Sequence, residues 1–216
     1  MTSITRRATL SGVKQTKFVA DNDGWKTISS DCHFTNAHLE VATDQVQTPT
    51  RSTPKSWTIV HRKAAVIVAP MTADGKIVLI RQERIPIRSA IWEIVGGQID
   101  NHEVDEDEIK NVALRELREE AGYELARDGE LIALGHYFSS PGFTDERGYF
   151  FLARPIKRCA QGDAQDDTES ILDCREFSVL EIRRMIAENE IRDANTLGIC
   201  ARLAARGFIS LDAPAD

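Results

Sequence analysis

The chain has 216 residues, 42% hydrophobic and 28% charged, an ordinary globular composition that allows one ample core with or without a small accessory unit. Its formal net charge of −7 argues against nucleic acid as the main partner, because nucleic-acid-binding proteins favour a basic surface. No apolar run approaches the length needed to span a bilayer, so we expect no membrane partner.

The cysteines and the N-terminal segment favour a cytoplasmic location. The four cysteines are scattered along the chain without the close spacing of a metal site. Residues 1–20 contain basic residues but no continuous apolar region, so no secretory signal is predicted. Reduced thiols are the expected state, because disulfides are rare in cytosolic proteins.

The first part of the chain predicts a small β unit. It is polar and contains short β-like pieces. Pro49 and Pro54 then stand among threonine and serine, a composition typical of a linker or loop. We therefore divide the chain into an N-terminal β unit, residues 1–57, and a main domain, residues 58–216.

Strands and helices alternate in the main domain. Apolar runs bounded by turn residues predict strands, and Asp74-Gly75 predicts a hairpin turn between the first two. Amphipathic patterns near the C-terminus predict two helices, the second capped by Gly207. The predicted strands are 64–69, 76–82, 91–95, 131–138 and 148–153, and the two helices are 179–189 and 194–206. This order favours an α/β fold, an α/β/α sandwich with a mixed sheet.

Another helix is predicted in the middle of the chain. It starts near Asp105 or Asp107, either of which can cap the free N–H groups. It ends at Ala121, with Gly122 in the left-handed position that terminates many helices. The apolar stripe that should face the core consists of Ile109, Val112, Ala113 and Leu117.

Two glutamates point the same way as this apolar stripe. With Ile109 at zero and about 100° per residue, Glu116 lies near −20°, Glu120 near +20° and Glu119 near −80°. A solvated charged face does not explain glutamates in an inward stripe, because buried unpaired carboxylates are costly. Hard cations such as Mg²⁺ require oxygen ligands at this density. We therefore predict Glu116 and Glu120 as metal ligands, supported by Glu119. Arg115 lies four residues before Glu119 and can pair with it, so we expect Arg115 to organise the catalytic carboxylates.

The segment from Gly97 to Tyr123 resembles the signature of the Nudix hydrolases. Gly97 is followed by five residues and Glu103, and the second half of the signature is complete, reading Arg115-Glu116-Leu117-Arg118-Glu119-Glu120-Ala121-Gly122. The spacer between the halves is longer than in the family pattern by about one helical turn. This insertion leaves the role of Glu103 open, while the spacing of the helix glutamates is intact.

Further segments resemble the ADP-ribose pyrophosphatase branch of that family, and the whole resemblance covers roughly residues 58–210. Where the branch has Pro-Ala-Gly, this chain has Val95-Gly96-Gly97. Residues 139–146 are similar to the mobile catalytic loop of the branch. The other similar segments are 81–84 with 91–97, before the signature, and 191–197, near the C-terminus.

The resemblance implies a Nudix-type fold and Mg²⁺-dependent hydrolysis of ADP-ribose or a related nucleoside diphosphate sugar, with Mn²⁺ as the alternative ion. The products would be a nucleoside monophosphate and a sugar phosphate. It implies a metal ligand from the backbone carbonyl of Gly96 and a catalytic base at Glu146, with Asp145 as its substitute. It also implies a homodimer to which the N-terminal β unit supplies contacts.

Three residues before the signature are candidates for substrate binding. Arg81 and Arg84 can bind phosphate, because a guanidinium matches phosphate oxygens in a fork, although either can be an ordinary surface arginine. Trp92 can stack on a base or ribose, although a tryptophan in an apolar strand is more often part of the core.

Two alternatives stay open at this point. The same machinery can act on another diphosphate, such as GDP-mannose, UDP-glucose or a dinucleotide. A Nudix-like module can also bind a nucleotide without cleaving it. Loss of a metal glutamate would favour such a sensor, and none is lost here.

Overall fold

The computed structural model describes residues 21, 23–100, 105–160 and 170–212. The first three strands form an antiparallel sheet in the order β1-β2-β3. They are β1 (Lys26–Thr35), β2 (Leu39–Gln47) and β3 (Lys55–Arg62). The predicted loop after residue 47 separates β2 from β3. Because β3 runs past residue 57, the division of the chain at that point stays a prediction.

The second sheet contains seven strands within the described residues, in the order β10-β5-β4-β9-β8, with β6 beside β5 and β7 beside β4. They are β4 (Ala65–Thr72), β5 (Ile77–Arg84), β6 (Ser89–Glu93), β7 (Val95–Gln98), β8 (Tyr123–Phe138), β9 (Arg147–Arg158) and β10 (Ile171–Phe177). Strands β4 and β9 are parallel, whereas β4 and β7 are antiparallel, so the sheet is mixed, as predicted.

Helices cover both faces of this sheet, which confirms the predicted α/β/α sandwich. They are α1 (Glu106–Ala121), α2 (Val179–Ala187) and α3 (Ala194–Ala205). Side chains alternate along β5: Val78 packs in the core under α1, whereas Leu79 packs in the core under α2 and α3. None of the described helices is both long and apolar enough to cross a membrane.

Helix α1 begins and ends as its sequence predicts. The Asp105 carboxylate accepts a hydrogen bond from the Glu108 N–H at 2.8 Å, and Gly122 adopts a φ of 69°. Ala113 and Leu117 are fully buried, as expected of the inward stripe. The capped ends and the apolar stripe therefore fix which face of the helix points at the sheet.

Strand β10 was not predicted from the sequence. Its residues, ILDCREF, mix apolar and charged side chains, and it pairs with β5 at the edge of the sheet. Only partial burial is needed at an edge, so the apolar run that marks a central strand is missing.

A buried threonine joins the start of α3 to the sheet. The Asp193 carboxylate accepts hydrogen bonds from the Thr196 N–H at 2.8 Å and from its hydroxyl at 2.7 Å. The Thr196 hydroxyl oxygen in turn accepts the Ile94 N–H at 2.9 Å. Since Ile94 lies between β6 and β7, this chain of bonds fixes α3 against the strands that lead to the glycines of β7.

Replacing this threonine is expected to destabilise the fold. Thr196→Val leaves the buried Ile94 N–H without an acceptor, which costs about 1–3 kcal/mol of unfolding free energy. Urea unfolding followed by circular dichroism measures the loss. The matched control is Thr196→Ser, which keeps the hydroxyl and should be the more stable variant. Equal stability of the two variants would contradict the assigned hydrogen bond.

Candidate active site

Helix α1 and strand β7 meet at two carboxylates and two glycines. Glu116 is 5% exposed and Glu120 is 2% exposed, so both face inward as predicted. The Gly96 N–H donates to the Glu120 carboxylate at 2.9 Å. A Cβ on Gly97 would lie 2.1 Å from the Glu116 Cδ. The absence of side chains at Gly96 and Gly97 therefore lets the backbone of β7 lie directly against the two carboxylates.

Arg115 bridges two of the signature glutamates. Its guanidinium donates to Glu116 at 2.7 Å and to Glu119 at 3.2 Å. The Glu119 pair is the predicted contact between residues four apart on a helix. Arg115 and Glu119 are each partly exposed, whereas Glu116 is buried. This placement suits an arginine that orients carboxylates.

A methyl group at residue 97 is expected to displace Glu116. In Gly97→Ala the new Cβ would overlap the carboxyl group, which must turn away from β7. We expect at least a tenfold loss of divalent-cation affinity, because misoriented ligands lower metal affinity by about 10–100-fold. Isothermal titration with Mn²⁺ measures this. Gly142→Ala is the control, because a Cβ there meets open space; unchanged affinity in Gly97→Ala would contradict the close packing.

The donor atoms at this place suit a hard divalent cation. The carboxylates of Glu116, Glu119 and Glu120 and the carbonyl of Gly96 are all oxygen donors, which Mg²⁺ prefers. Among the described residues, no three side chains with carboxylate, imidazole or thiol groups lie close enough together to bind one metal ion. Backbone and water oxygens commonly complete the shell around Mg²⁺ in proteins. Glu103 lies outside the described residues.

A fourth carboxylate, that of Glu146, lies at the end of the 139–146 loop. It accepts hydrogen bonds from the Arg62 guanidinium at 3.1 Å and from the Ser139 hydroxyl at 2.6 Å. Asp145 faces other partners: the His61 imidazole at 2.7 Å and the Arg62 backbone N–H at 3.2 Å. The two adjacent acids therefore have different partners. Glu146 accepts from the Arg62 side chain, whereas Asp145 accepts from the Arg62 backbone and contacts the His61 ring.

Strand β4 lies between β7 and β9, the strand that follows the 139–146 loop. Val66 of β4 pairs with Gly97 on one side and with Tyr149 of β9 on the other. Adjacent strands are about 4.8 Å apart, so Gly97 and Tyr149 lie about 10 Å apart across the sheet. Since Glu146 directly precedes β9, the loop enters the sheet at the end where β7 meets α1.

Arg84 lies on the same face of the sheet as α1. Its Nε donates to both carboxylate oxygens of the buried Glu93, at 2.9 and 3.0 Å. This hydrogen bonding raises the pKa of Arg84, and the negative charges of Glu120 and Asp193 act in the same direction. The structure therefore places Arg84 on the α1 side of the sheet and pairs it with Glu93.

Arg81 and Trp92 lie on the opposite face of the sheet. They are adjacent across β5 and β6, and the alternation along β5 directs Arg81 toward the side of α2 and α3. Trp92 packs edge-on against Phe177, with ring centroids 5.0 Å apart, and Arg175 covers its ring. The structure does not bring these two side chains to the carboxylates, and their substrate-binding roles stay predictions.

Asp193 and Asn195, at the start of α3, act on residues of β5 and β8. Asp193 influences Arg84, as described, and also Tyr137. Burial raises the pKa of Tyr137, and the charges of Glu146 and Asp193 act in the same direction. The Tyr137 hydroxyl donates to Asn195 at 2.5 Å. This hydrogen bond joins the start of α3 to the end of β8.

Three residues of this arrangement were not identified from the sequence: Arg62, Glu93 and Asp193. Glu93 interrupts a short apolar strand, a signal comparable to the glutamates of α1. Asp193 has the helix-capping position that precedes α3, which indicates structure more than function. Arg62 gives no local signal, because its partner Glu146 is 84 residues away in the chain.

The comparisons with known proteins agree with this arrangement. The model of the NUDIX domain matches residues 60–197, well over half of the chain. The chain therefore belongs to the Nudix family. Its fold, its family and relatives that are named as pyrophosphatases together indicate an enzyme, specifically a hydrolase.

Relatives support this assignment over most of the chain. The chain is 32% identical over 172 residues to a methanol dehydrogenase activator of Bacillus methanolicus, covering 80% of this chain and 88% of that protein. It is 30% identical over 171 residues to an ADP-ribose pyrophosphatase of Bacillus subtilis (strain 168), covering 79% and 88%. It is 31% identical over 146 residues to a GDP-mannose pyrophosphatase of Klebsiella pneumoniae, covering 62% and 67%.

A solved structure supports the fold. A crystal structure of an ADP compounds hydrolase superposes with a TM-score of 0.67, covering 88% of this chain and 100% of that chain. Its sequence identity is 16%, so the likeness concerns the architecture alone.

Proposed function

We propose that this protein hydrolyses the diphosphate bond of ADP-ribose or a related nucleoside diphosphate sugar, giving a nucleoside monophosphate and a sugar phosphate. The observation that carries the proposal is the pair of buried carboxylates, Glu116 and Glu120, packed against the glycine backbone of β7. Glu146, on the loop that enters the sheet at the same end, would supply the acid or base that such a reaction also needs.

A divalent cation, Mg²⁺ or alternatively Mn²⁺, would be held by Glu116 and Glu120, with Glu119 and the Gly96 carbonyl as further ligands. Such an ion supplies the positive charge that stabilises negative charge developing on the diphosphate oxygens. The need for it also follows from the net charge of −7, which by itself disfavours an anionic substrate.

The protein side chains have separate tasks in this proposal. Glu146 orients the attacking water and accepts its proton, and Arg62 and Ser139 hold the carboxylate in place for that task. Arg115 orients the glutamates of α1. Arg84 would bind the phosphates, although it must share its guanidinium with Glu93.

The names of the relatives support the substrate class and leave its base and sugar to experiment. One relative is named as an ADP-ribose pyrophosphatase and another as a GDP-mannose pyrophosphatase. The longer match belongs to the former, so ADP-ribose is the first candidate and GDP-mannose the second. A nucleotide sensor without activity is disfavoured, because all three signature glutamates of α1 are present.

We also infer that the protein is a cytoplasmic homodimer. Its ligand would be a small nucleoside diphosphate and not nucleic acid. Exposed aromatic and aliphatic side chains on the N-terminal sheet, among them Ile28, Phe34 and Trp57, support association through this sheet. The four cysteines are free thiols, as suits a reducing compartment. Sedimentation equilibrium of the full chain tests the dimer, and a monomer at micromolar concentration would contradict it.

Product release from a substrate panel tests the proposed function. ADP-ribose, GDP-mannose, UDP-glucose and NADH are each incubated with Mg²⁺, with Mn²⁺ and with a chelator. We expect AMP from ADP-ribose at a rate well above the other reactions, and no release with chelator. Preference for another diphosphate would move the substrate and keep the mechanism, whereas tight binding without cleavage would indicate the sensor.

A further inference from the structure

The 139–146 loop is attached to the N-terminal sheet through the last residues of β3. The Val60 N–H donates to the Phe143 carbonyl at 2.8 Å, and Val60 and Thr144 form a parallel bridge. The Trp57 indole N–H donates to the Gly142 carbonyl at 2.9 Å. The loop therefore runs along β3 as a short extra strand, and the position of its last residues depends on the N-terminal sheet.

His61 of β3 is buried and contacts Asp145 of the loop. Its ring is 3% exposed, and its Nδ1 lies 2.7 Å from the Asp145 carboxylate. On the other side its Nε2 lies 3.8 Å from the Asp44 carboxylate of β2. An ionised carboxylate can only accept hydrogen bonds, so Nδ1 carries the proton and donates to Asp145. Asp145 is thus held from two directions, by His61 and by the Arg62 N–H.

The same two residues of β3 hold the two adjacent acids of the loop. His61 contacts Asp145, and the Arg62 side chain contacts Glu146. Because Asp145 and Glu146 are consecutive, a shift of Asp145 moves the backbone that carries Glu146. A displacement of about 1 Å in a catalytic group can lower a rate by about 100-fold.

We propose that His61 is a positioning residue, which through Asp145 fixes the 139–146 loop on β3 so that Glu146 is held at the carboxylate site. The proposal rests on the proposed function, in which Glu146 acts on water. It also assigns the N-terminal sheet a part in catalysis within one chain, beyond its proposed dimer contacts.

Two substitutions distinguish the contact that Nδ1 of His61 makes with Asp145 from the contact that Nε2 makes with Asp44. The amide nitrogen of asparagine can replace the Nδ1 donor toward Asp145, whereas the longer glutamine directs its amide nitrogen toward the Nε2 side and Asp44. We expect His61→Asn to keep kcat within about threefold of wild type and His61→Gln to lower it by about tenfold, with KM within about twofold in both. Equal kcat values in the two variants would overturn the proposal.

His33 provides the matched control. It lies on β1 of the same sheet and is exposed, with its Nε2 2.7 Å from the Thr43 hydroxyl. The substitutions His33→Asn and His33→Gln should leave kcat and KM unchanged. A tenfold fall in kcat in either control would show that the effect of His61→Gln is not specific to the loop, and it too would overturn the proposal.

Amide hydrogen exchange decides the role of His61 without relying on turnover. We expect faster exchange at residues 139–146 in His61→Gln, protection close to wild type in His61→Asn, and unchanged exchange in α3. Identical loop exchange in both variants would refute the positioning role. A wild-type protein that cleaves no substrate of the panel would instead refute the proposed function, so the two failures are distinguishable.

A second variant is needed if amide exchange in His61→Gln is faster throughout the core and not only in the loop. Asp145→Asn keeps the size of the side chain and removes the charge that His61 contacts. Faster exchange limited to residues 139–146 supports the proposal, and loop exchange equal to that of wild type contradicts it.

Discussion

Glu120→Gln is expected to abolish metal-dependent turnover while leaving the fold intact. The Gln side chain keeps an oxygen that can accept the Gly96 N–H, which in the native protein donates to Glu120 at 2.9 Å. It lacks the negative charge that binds a divalent cation. Metal assistance is worth several kcal/mol of barrier, so we expect kcat to fall by about a thousandfold or more. Steady-state assays with Mg²⁺ and thermal unfolding measure the two effects.

Glu106→Gln is the matched control for this substitution. It makes the same chemical change on the same helix, at an exposed position that pairs with Lys110 in the first turn. Its turnover should equal that of wild type. Near-normal turnover in Glu120→Gln would remove Glu120 from the metal site and with it the central assignment of the proposed function.

Glu146→Gln is expected to slow turnover strongly while changing substrate affinity little. The Gln side chain can still accept from Arg62 and Ser139, which hold Glu146 at 3.1 and 2.6 Å, but it cannot take a proton from water. General-base catalysis contributes about 10²–10⁴-fold, and kcat should fall by that factor while KM stays within about twofold. Steady-state kinetics on the preferred diphosphate measure both constants.

Binding of Mn²⁺ distinguishes this loss from that of Glu120→Gln. A variant at the base should bind the ion with wild-type affinity, whereas a variant at a metal ligand should not. Electron paramagnetic resonance of Mn²⁺ reports the bound fraction for both proteins. An unchanged rate in Glu146→Gln would place the base elsewhere, and Asp145 would be the next residue to test.

The sequence predicted helix α1 and its inward face correctly. The repeat of a helix is set by its backbone geometry, so the angular positions of Glu116 and Glu120 follow from residue spacing alone. Both are buried on the same side as Leu117, and Gly122 ends the helix in the left-handed conformation. The family assignment likewise followed from this segment, and the match to the NUDIX domain confirms it.

The candidate substrate-binding residues show where sequence reasoning stops. Arg81 and Arg84 are three residues apart, and in a strand an odd spacing places two side chains on opposite faces of a sheet. Arg84 accordingly lies on the face of α1, where it pairs with Glu93, whereas the exposed Arg81 lies beside Trp92 on the opposite face. The alternation could have separated the two arginines in advance, but which face carries α1 could not be derived from it.

The sequence by itself determined the family, the mixed α/β architecture and the carboxylate face of α1, because these depend on local spacing and on the repeat of helices and strands. The tertiary structure decided which residues hold the two acids of the 139–146 loop. Arg62 and Glu146 are 84 residues apart, as are His61 and Asp145. Such pairs form only after β3 lies beside the 139–146 loop, and no local pattern along the chain encodes that contact.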